Sequence, residues 1–479
     1  MKHKKTLCSL IFALLILTSC SDSDVIADET QPDSGSDAVS SSDAKDYTLP
    51  SYDYTGKTFN ILNDAPTLVS GETGDTLDDA KWKMPRTVEE AFHISITETT
   101  HDRYDMVQYA NQMVMSGDTT FDTIAVMDRF ALTMAMENLA LPMNDVETVH
   151  LNEPYWGGAL SDAMTICGNT YFGINSSSLS TFDRVSCCLI NTNLASALNY
   201  QIPFDEIDEG KWTYDDLYAL RGLATQDLNG DGAMDLSDRW TFGTFDFRDL
   251  PLQLSVSMNE FTVEKDADDV PYIAVYDDER YINVMEAIYN LCYSGKDSIK
   301  EMLNMTDNFR MNQPFMEGRV FVMFSRFAEL SLYRDMEDDF CVLPMPKYDE
   351  AQENYCSRTY DATFYMIPTT QEDAAFAGAV LDALSMVGYY DMLPVYVHSV
   401  LQDKIARDEE SQRYLQLCFD SRTVDMGLAF LNSYFEGGVL YENGLSGSSV
   451  NLASYFEKIR KRADQELGAI VEQFSSIIE

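Results

Sequence analysis

Side chains that carry oxygen recur at alternate positions between Asp227 and Asp238. Counted from Asp227, they fall at positions 1, 3, 5, 9 and 12, and Gly232 occupies position 6, which is the spacing of an EF-hand calcium loop. Ca²⁺ binds about six to eight oxygen ligands, and position 7 supplies a backbone carbonyl. Asp238 stands where Glu is usual, and its shorter side chain predicts weak affinity. The predicted ligands are Asp227, Asn229, Asp231, Ala233, Asp235 and Asp238.

The segments on either side of this loop indicate a structural role for it. Thr213 and Asp216 have the spacing of a capping box that opens a helix, and residues 239–243 are typical of a strand. The motif occurs once and lacks a second helix, whereas a dockerin-like scaffold contact needs a duplicated motif. The alternative is an Asx-rich turn that closes without metal. Because crowded carboxylates repel one another, we favour a structural calcium site.

The first residues predict export and attachment to a membrane. Lysines near the N-terminus precede an apolar run over residues 6–17 that is too short to span a bilayer. The sequence Leu17-Thr-Ser-Cys20 resembles the lipobox of bacterial lipoproteins, in which the cysteine is lipidated; the alternative is an ordinary secretory signal. Residues 21–57 are rich in Ser and Asp and are predicted to form a disordered tether. These features place the protein on the extracellular face of the membrane.

Composition excludes some function classes. The 79 acidic and 33 basic residues give a net charge of −46, which argues against binding to nucleic acid. The chain contains no G-x-S-x-G, H-E-x-x-H or phosphate-binding glycine loop, so we expect a protein that is not an enzyme. A glycosidase needs only two carboxylates, and this alternative stays open. The cysteines in apolar runs predict mostly free, buried thiols: Cys167, Cys187, Cys188, Cys292, Cys341, Cys356 and Cys418.

Helices and strands alternate in the first part of the folded region. The predicted elements are strands over 58–62, 93–98 and 122–127 and helices over 76–92 and 104–115. This order predicts an α/β fold with a largely parallel sheet, in which ligands bind beyond the carboxyl ends of the strands. Polar pairs stand at two such ends: Asn63-Asp64 and Asp128-Arg129.

A series of loose motifs in a shared order carries a family resemblance. After the lipobox come Lys57-Thr-Phe-Asn-Ile-Leu62, Ser116-Gly-Asp118, Ala140-Leu-Pro-Met-Asn-Asp145, Tyr155-Trp156, Gly168-Asn-Thr-Tyr-Phe-Gly173, Gly210-Lys-Trp-Thr213, Phe315-Met-Glu-Gly-Arg319, Asp338-Asp-Phe340, Leu343-Pro-Met-Pro-Lys347 and Met366-Ile-Pro368. Together they resemble an extracellular solute-binding protein of ABC importers, of the family 1 (maltose-binding-protein-like) kind, in its lipid-anchored form.

The resemblance implies a two-lobed, type II periplasmic-binding-protein-like fold that closes on its ligand at a hinge. Lobe 1 would comprise residues 58–177 and 359–384, and lobe 2 would comprise 178–358 and 385–479 with C-terminal helices. The cleft between them would be lined by Asn63, Asp64, Asp128, Arg129, Tyr155, Trp156, Asn175, Ser176, Trp240, Ser325, Arg326, Tyr360 and Asp361. Aromatic rings, carboxylates, amides and arginines suit sugar recognition, although Trp156 and Trp240 could equally be packing residues and Arg326 could be a buried ion-pair partner.

The resemblance also implies a function. The protein would capture a polar solute, most often an oligosaccharide or sugar, and deliver it to ABC permease subunits as a monomer. The alternatives are a secreted carbohydrate-active enzyme and a ligand-sensing subunit of a membrane receptor. No residue in the sequence identifies the solute.

Overall fold

The computed structural model describes residues 47–295, 298–299, 311–398 and 409–476. The predicted signal segment, the lipidation residue Cys20 and the tether as far as residue 46 lie outside this range. None of the described helices has the length and apolar character that a membrane span requires.

The described chain contains strands, helices and short 3₁₀ and π segments. The strands are β1 (Thr58–Asn63), β2 (Ser95–Thr100), β3 (Thr123–Met127), β4 (Gly173–Ile174), β5 (Ser186–Asn191), β6 (Trp240–Thr244), β7 (Val263–Lys265), β8 (Pro271–Ile273), β9 (Val320–Arg326), β10 (Phe340–Leu343), β11 (Ser357–Arg358), β12 (Thr363–Met366) and β13 (Arg422–Thr423).

The helices up to residue 333 are α1 (Thr76–Phe92), α2 (Met106–Met115), α3 (Asp128–Met136), α4 (Ala159–Ala163), α5 (Ser180–Asp183), α6 (Thr192–Ala197), α7 (Phe204–Asp208), α8 (Tyr214–Ala219), α9 (Leu250–Ser257), α10 (Glu279–Ile288), α11 (Asn312–Met316) and α12 (Phe327–Tyr333). The later helices are α13 (Ala374–Val387), α14 (Leu393–Val395), α15 (Glu409–Asp420), α16 (Met426–Phe430), α17 (Asn432–Phe435), α18 (Gly437–Leu440) and α19 (Leu452–Ser476). The 3₁₀ segments are Met143–Asp145 and Pro154–Trp156, and the π segments are Tyr289–Tyr293, Gly388–Met392 and Tyr441–Leu445.

The first sheet has five strands in the order β2-β1-β3-β12-β4. β1 pairs in parallel with β2 and β3, and β12 pairs antiparallel with β3 and β4. The predicted strand–helix alternation is therefore confirmed for β1, β2 and β3, which pair in parallel, but two of the sheet's four pairings are antiparallel, so the sheet is mixed and not largely parallel. β2 begins two residues later than predicted, because His93 takes a left-handed conformation with φ of 57° and ends α1.

The second sheet has four strands in the order β10-β5-β9-β6. β5 runs antiparallel to both of its neighbours, and β6 pairs in parallel with β9. β5 and β6 are buried along their whole length, and so is β9 except for its last residue. The buried strands are rich in apolar residues, which is typical of a sheet covered on both faces.

The chain crosses between the two sheets twice. It leaves the first sheet after β4, reaches β5 through residues 175–185, and returns from β11 to β12 through residues 359–362. Short β11 pairs in parallel with β13 from the C-terminal region. Two α/β sheets joined by crossing segments agree with the predicted two-lobed fold, while the exact lobe boundaries stay a prediction.

The predicted tether was wrong in its last residues. Tyr47 stacks on Tyr390 with ring centroids 5.1 Å apart, and Tyr54 packs edge-on against Phe376 at 4.9 Å. The backbone N–H of Tyr54 also donates to the carbonyl of Phe92. The aromatic residues in this stretch bury enough apolar surface to order it against the first sheet's helices.

The region before the calcium-like loop was predicted correctly. α8 begins after Thr213, whose backbone N–H donates to the Asp216 carboxylate in a capping box. Trp212 and Leu217 are fully buried and pack in the core. All seven described cysteines are free, and five of them are buried.

One buried carboxylate ties α13 to the segment that precedes β4. Asp382 accepts hydrogen bonds from the Trp156 indole N–H at 2.7 Å and the Tyr155 hydroxyl at 3.1 Å. It also accepts the backbone N–H of His150 at 3.0 Å. Because Asp382 is 2% exposed, these donors replace the water that its charge loses on folding.

Replacing Asp382 with Ala leaves these buried donors without an acceptor. We expect the free energy of unfolding to fall by about 3 kcal/mol, measured by urea denaturation. The control is Asp335→Ala, whose carboxylate is 82% exposed and should change stability by less than about 0.5 kcal/mol. Equal effects of the two substitutions would contradict a structural role for Asp382.

Candidate functional site

Two adjoining cavities lie where the crossing segments meet the ends of the strands. The first, called here the Arg103 cavity, has a volume of about 200 Å³, and the second, the Tyr360 cavity, about 160 Å³. Both are lined by Asp361. The Arg103 cavity is lined by Asp64, Ala65, Pro66, Thr67, Lys81, Arg103, Met127, Ser177, Ser178, Leu179, Ser180, Asp183, Arg184, Asp361, Thr363 and Met392. The Tyr360 cavity is lined by Arg129, Asp246, Arg248, Asp249, Tyr360, Asp361, Glu436, Gly437 and Gly438.

Asp361 joins the second crossing segment to the end of β3. Its backbone N–H donates to Asp128 Oδ2 at 3.1 Å, and its Oδ1 lies 3.5 Å from Arg129 Nη2. The residue adopts φ of 55°, a left-handed conformation that Asp tolerates better than most side chains. The turn thereby directs a carboxylate to the boundary between the two cavities.

Asp128 is the buried support beneath this turn. Its Oδ1 accepts the backbone N–H of Arg129 at 2.7 Å, so both of its oxygens are occupied. Burial, followed by the negative charge of Asp361, raises the pKa of Asp128 to about 6. Asp128 therefore holds the backbone around the site and is not one of the residues that line the cavities.

Asp64 lines the Arg103 cavity at the end of β1. Its Oδ2 accepts the backbone N–H of Met127 at 3.2 Å and lies 3.8 Å from Arg103 Nε. Burial raises the pKa of Asp64, although the Met127 N–H and Arg103 oppose this shift. Its neighbour Asn63 is fully buried and donates to Glu98 at 2.7 Å. Only Asp64 of this predicted pair faces the cavity.

Tyr360 forms the aromatic wall of the second cavity. The Arg358 guanidinium lies 4.3 Å from its ring centroid and the Arg326 guanidinium 5.5 Å. Arg326 also donates to the Tyr360 hydroxyl at 3.3 Å and pairs with Glu329 at 3.1 Å. The buried ion pair, which the sequence left as an alternative for Arg326, is therefore observed, and Tyr360 is held between two cations.

Several predicted ligand-binding residues lie away from these cavities. Tyr155 and Trp156 are buried and bonded to Asp382, and Trp240 is fully buried with its indole N–H donating to the carbonyl of Asp235 at 2.9 Å. Asn175 donates to the carbonyl of Leu381 at 2.9 Å, and Ser176 donates to that of Tyr155 at 2.7 Å.

Ser325, in β9, is also fully buried. These six residues are engaged in backbone contacts or packing and do not line the two cavities, so their role as ligand contacts stays a prediction.

Sequence reasoning missed several charged residues of the Arg103 cavity. Arg103 lies in the turn before α2, Lys81 lies in α1, and Asp183 and Arg184 lie within the first crossing segment. Burial raises the pKa of Asp183 to about 6. The usable signal was position, because residues 178–184 directly follow the predicted end of lobe 1 at residue 177.

The loop from Asp227 to Asp238 closes on itself through hydrogen bonds. Asp227 accepts the backbone N–H groups of Gly230 and Gly232 at 2.6 and 2.9 Å, and Asp238 accepts those of Leu228 and Asp235 at 2.8 and 2.7 Å. Among the described residues, no group of three or more His, Cys, Asp or Glu side chains is arranged to hold a metal ion. The loop's turns are thus explained by its Asx bonds, and calcium binding stays a prediction.

Comparison with known proteins identifies the fold. No family model and no curated protein matches the sequence, but solved structures do. A substrate-binding protein from Listeria monocytogenes, in complex with cycloalternan, shares 12% identity and a TM-score of 0.52 over 86% of this chain and 99% of its own. UspC from M. tuberculosis shares 13% identity and a TM-score of 0.57 over 85% of this chain and 100% of its own.

A maltose/maltodextrin-binding domain from Bdellovibrio bacteriovorus, bound to maltotriose, shares 16% identity and a TM-score of 0.51 over 87% of this chain and 100% of its own. The chain has the two-lobed fold of ABC-transporter solute-binding proteins. The TM-scores establish a shared fold, and identities this low establish the fold alone. The expected architecture is confirmed.

The raised pKa of Asp128 predicts a pH-dependent stability. An unfolded Asp has a pKa of about 3.9, so between about pH 4 and 6 the folded chain binds more protons than the unfolded chain. Protonation of Asp128 therefore stabilises the folded state; this stabilisation is complete below about pH 4 and is lost as pH rises through about 6. Asp128→Asn should reduce this fall in unfolding free energy by up to about 3 kcal/mol, measured by urea denaturation between about pH 4 and 7.

The control for this experiment is Asp335→Asn, which changes an exposed carboxylate. It should keep the pH dependence of the wild-type protein. If Asp128→Asn kept it as well, the titration assigned to Asp128 would be wrong.

Proposed function

We propose that this protein is the lipid-anchored substrate-binding component of an ABC importer. It captures a polar solute, a saccharide, in the two cavities and presents the loaded form to permease subunits. The lipobox-like Leu17-Thr-Ser-Cys20 supports anchoring through Cys20 on the extracellular face of the membrane.

The position of the cavities is the observation that carries this proposal. Their walls come from strand ends of the first sheet, such as Asp64 and Met127, and from both crossing segments. The residues that precede α9, on the second-sheet side, complete the wall through Asp246 and Asp249. A ligand placed at Asp361 would therefore touch both halves of the fold.

A ligand that contacts both halves favours the form in which they are closed. The free protein samples open forms, and the ligand shifts the population by binding the closed form more tightly. Binding energy is converted into a change of shape, without a chemical step. The permease then has a surface by which to distinguish the loaded protein.

Structural neighbours support a saccharide as the solute. The Listeria protein was solved with cycloalternan, the Bdellovibrio domain with maltotriose, and a Thermotoga lettingae solute-binding protein with α-D-tagatose. An aromatic pair that adjoins two of the cavity arginines in sequence suits such a ligand: Tyr104 follows Arg103, is 78% exposed and stands edge-on to Phe130, which follows Arg129, with centroids 6.1 Å apart. An exposed ring next to polar groups can cover the C–H face of a sugar.

The first test is a thermal-shift screen against oligosaccharides, run with and without calcium. A saccharide that binds only the native state should stabilise it by about 2.7 kcal/mol at a concentration of about 100 times its dissociation constant. Chromatography of the incubated saccharide should show no product. Turnover would favour the carbohydrate-active enzyme, and a pull-down that recovers a membrane kinase in place of a permease would favour the sensing role.

The second test concerns Tyr104. Tyr104→Ala should weaken the affinity for a saccharide found in the screen by roughly threefold to tenfold, measured by calorimetry, because a stacking surface is lost. The matched control is Tyr218→Ala in α8, where the ring is 41% exposed and, unlike that of Tyr104, adjoins no cavity-lining residue in sequence. Equal affinities for the two variants would show that Tyr104 does not contact the ligand.

A further inference from the structure

Two arginine side chains lie close to the same sulfur atom. Arg103 Nη1 and Arg129 Nη2 each lie 3.9 Å from Met127 Sδ, so these nitrogens are less than about 8 Å apart. Arg103 lines the first cavity and Arg129 lines the second. We propose that the captured solute is an acidic saccharide, whose carboxylate binds between Arg103 and Arg129 across Met127. This inference rests on the proposed function and specifies its substrate class.

The two guanidinium groups have donors to spare. Each arginine carries five N–H donors, and the Met127 thioether is a weak acceptor. Arg103 forms an ion pair with Asp64 at 3.8 Å, and Arg129 forms one with Asp361 at 3.5 Å. Neither ion pair includes a hydrogen bond. In the part of the chain that is described, neither side chain donates a hydrogen bond to an oxygen atom. A ligand carboxylate would supply such oxygens.

The neighbouring acids are engaged differently. Asp64 accepts the Met127 N–H, and Asp128 accepts the N–H groups of Arg129 and Asp361. Asp64 Oδ2 and both Asp128 oxygens therefore already accept backbone N–H groups, while the Asp361 carboxylate lies beside Arg129. Burial also raises the pKa values of Asp64 and Asp128.

The start of α3 adds to the positive potential. The helix begins at Asp128, directly after Met127, and spans 128–136. The helix dipole favours an anion at this end, although the backbone N–H groups of Asp128 and Arg129 already donate to the Ala362 carbonyl and to Asp128 Oδ1. The carboxylate expected between the two arginines would lie close to this terminus.

The lining also differs from that of a site for a neutral sugar. Among the described residues that line the Arg103 cavity there is no aromatic side chain, and the cationic Lys81, Arg103 and Arg184 stand with three carboxylates, Asp64, Asp183 and Asp361. In the Tyr360 cavity the one aromatic residue, Tyr360, is 7% exposed. Charged and hydroxyl groups, more than stacking surface, are available in the lining.

The test compares two saccharides that differ in charge. Calorimetry on the full mature chain would use an oligogalacturonate and the galactose oligomer of the same length and linkage, with inorganic phosphate and acetate as anions without a sugar. The oligogalacturonate should bind at least about tenfold tighter than its neutral partner. Arg103→Gln and Arg129→Gln should each weaken acidic binding by about tenfold or more and leave neutral binding within about threefold.

The control variant is Arg413→Gln, which removes the same charge from an exposed residue that pairs with Asp208 on the surface. It should leave both affinities unchanged, and the melting temperatures of the free variants should match the wild type. Neutral binding as tight as acidic binding, or equal loss of both in the arginine variants, would overturn the inference and leave the saccharide function standing. Arginine-dependent binding of phosphate or acetate without any saccharide would support the anion site and overturn the saccharide function; failure of every probe would overturn both.

Discussion

The structure depends on satisfying the backbone where the chain crosses between its two sheets. Most residues of the crossing segments are buried, and outside α5 they are neither helical nor extended, so their N–H and C=O groups need partners outside regular secondary structure. Side chains supply them: the Ser176 N–H donates to Ser385 Oγ, the Ser177 N–H to Asn175 Oδ1, and the Asp361 N–H to Asp128 Oδ2. The main reason that polar residues cluster at the crossings is that the backbone N–H groups there need hydrogen-bond acceptors.

This requirement explains which part of the site could be predicted. Strand ends and crossings are visible in the sequence as polar residues after apolar runs, and Asp64, Arg129, Tyr360 and Asp361 were located in this way. Asn175 and Ser176 have the same pattern, yet their side chains turn toward backbone partners. Sequence position gives the neighbourhood of a residue, but the direction of its side chain depends on neighbours distant in sequence, such as Leu381 for Asn175 and Tyr155 for Ser176.

Local signals were sufficient for the elements of the first sheet and for α8. The Thr213–Asp216 capping box and the periodicity of residues 76–92 are short-range features, and both helices form as expected. Arg103 carried no such signal, because an arginine in a turn before a helix is usually a solvated surface residue. Only the fold brings it to Met127, which lies 24 positions further along the chain.

The overall charge gives the local arginines their significance. A protein with a net charge of −46 repels anions at long range, so an acidic solute gains little from electrostatic steering. Screening limits this repulsion to about 8 Å at physiological ionic strength, whereas Arg103 and Arg129 act within hydrogen-bonding distance. Specific recognition of an anion by such a protein must therefore be built from a few guanidinium groups at fixed positions. Gly388 helps to hold one wall of the site in place. A Cβ at this position would lie 2.2 Å from the Ser176 carbonyl oxygen, so only glycine allows the π segment to pack directly on the first crossing.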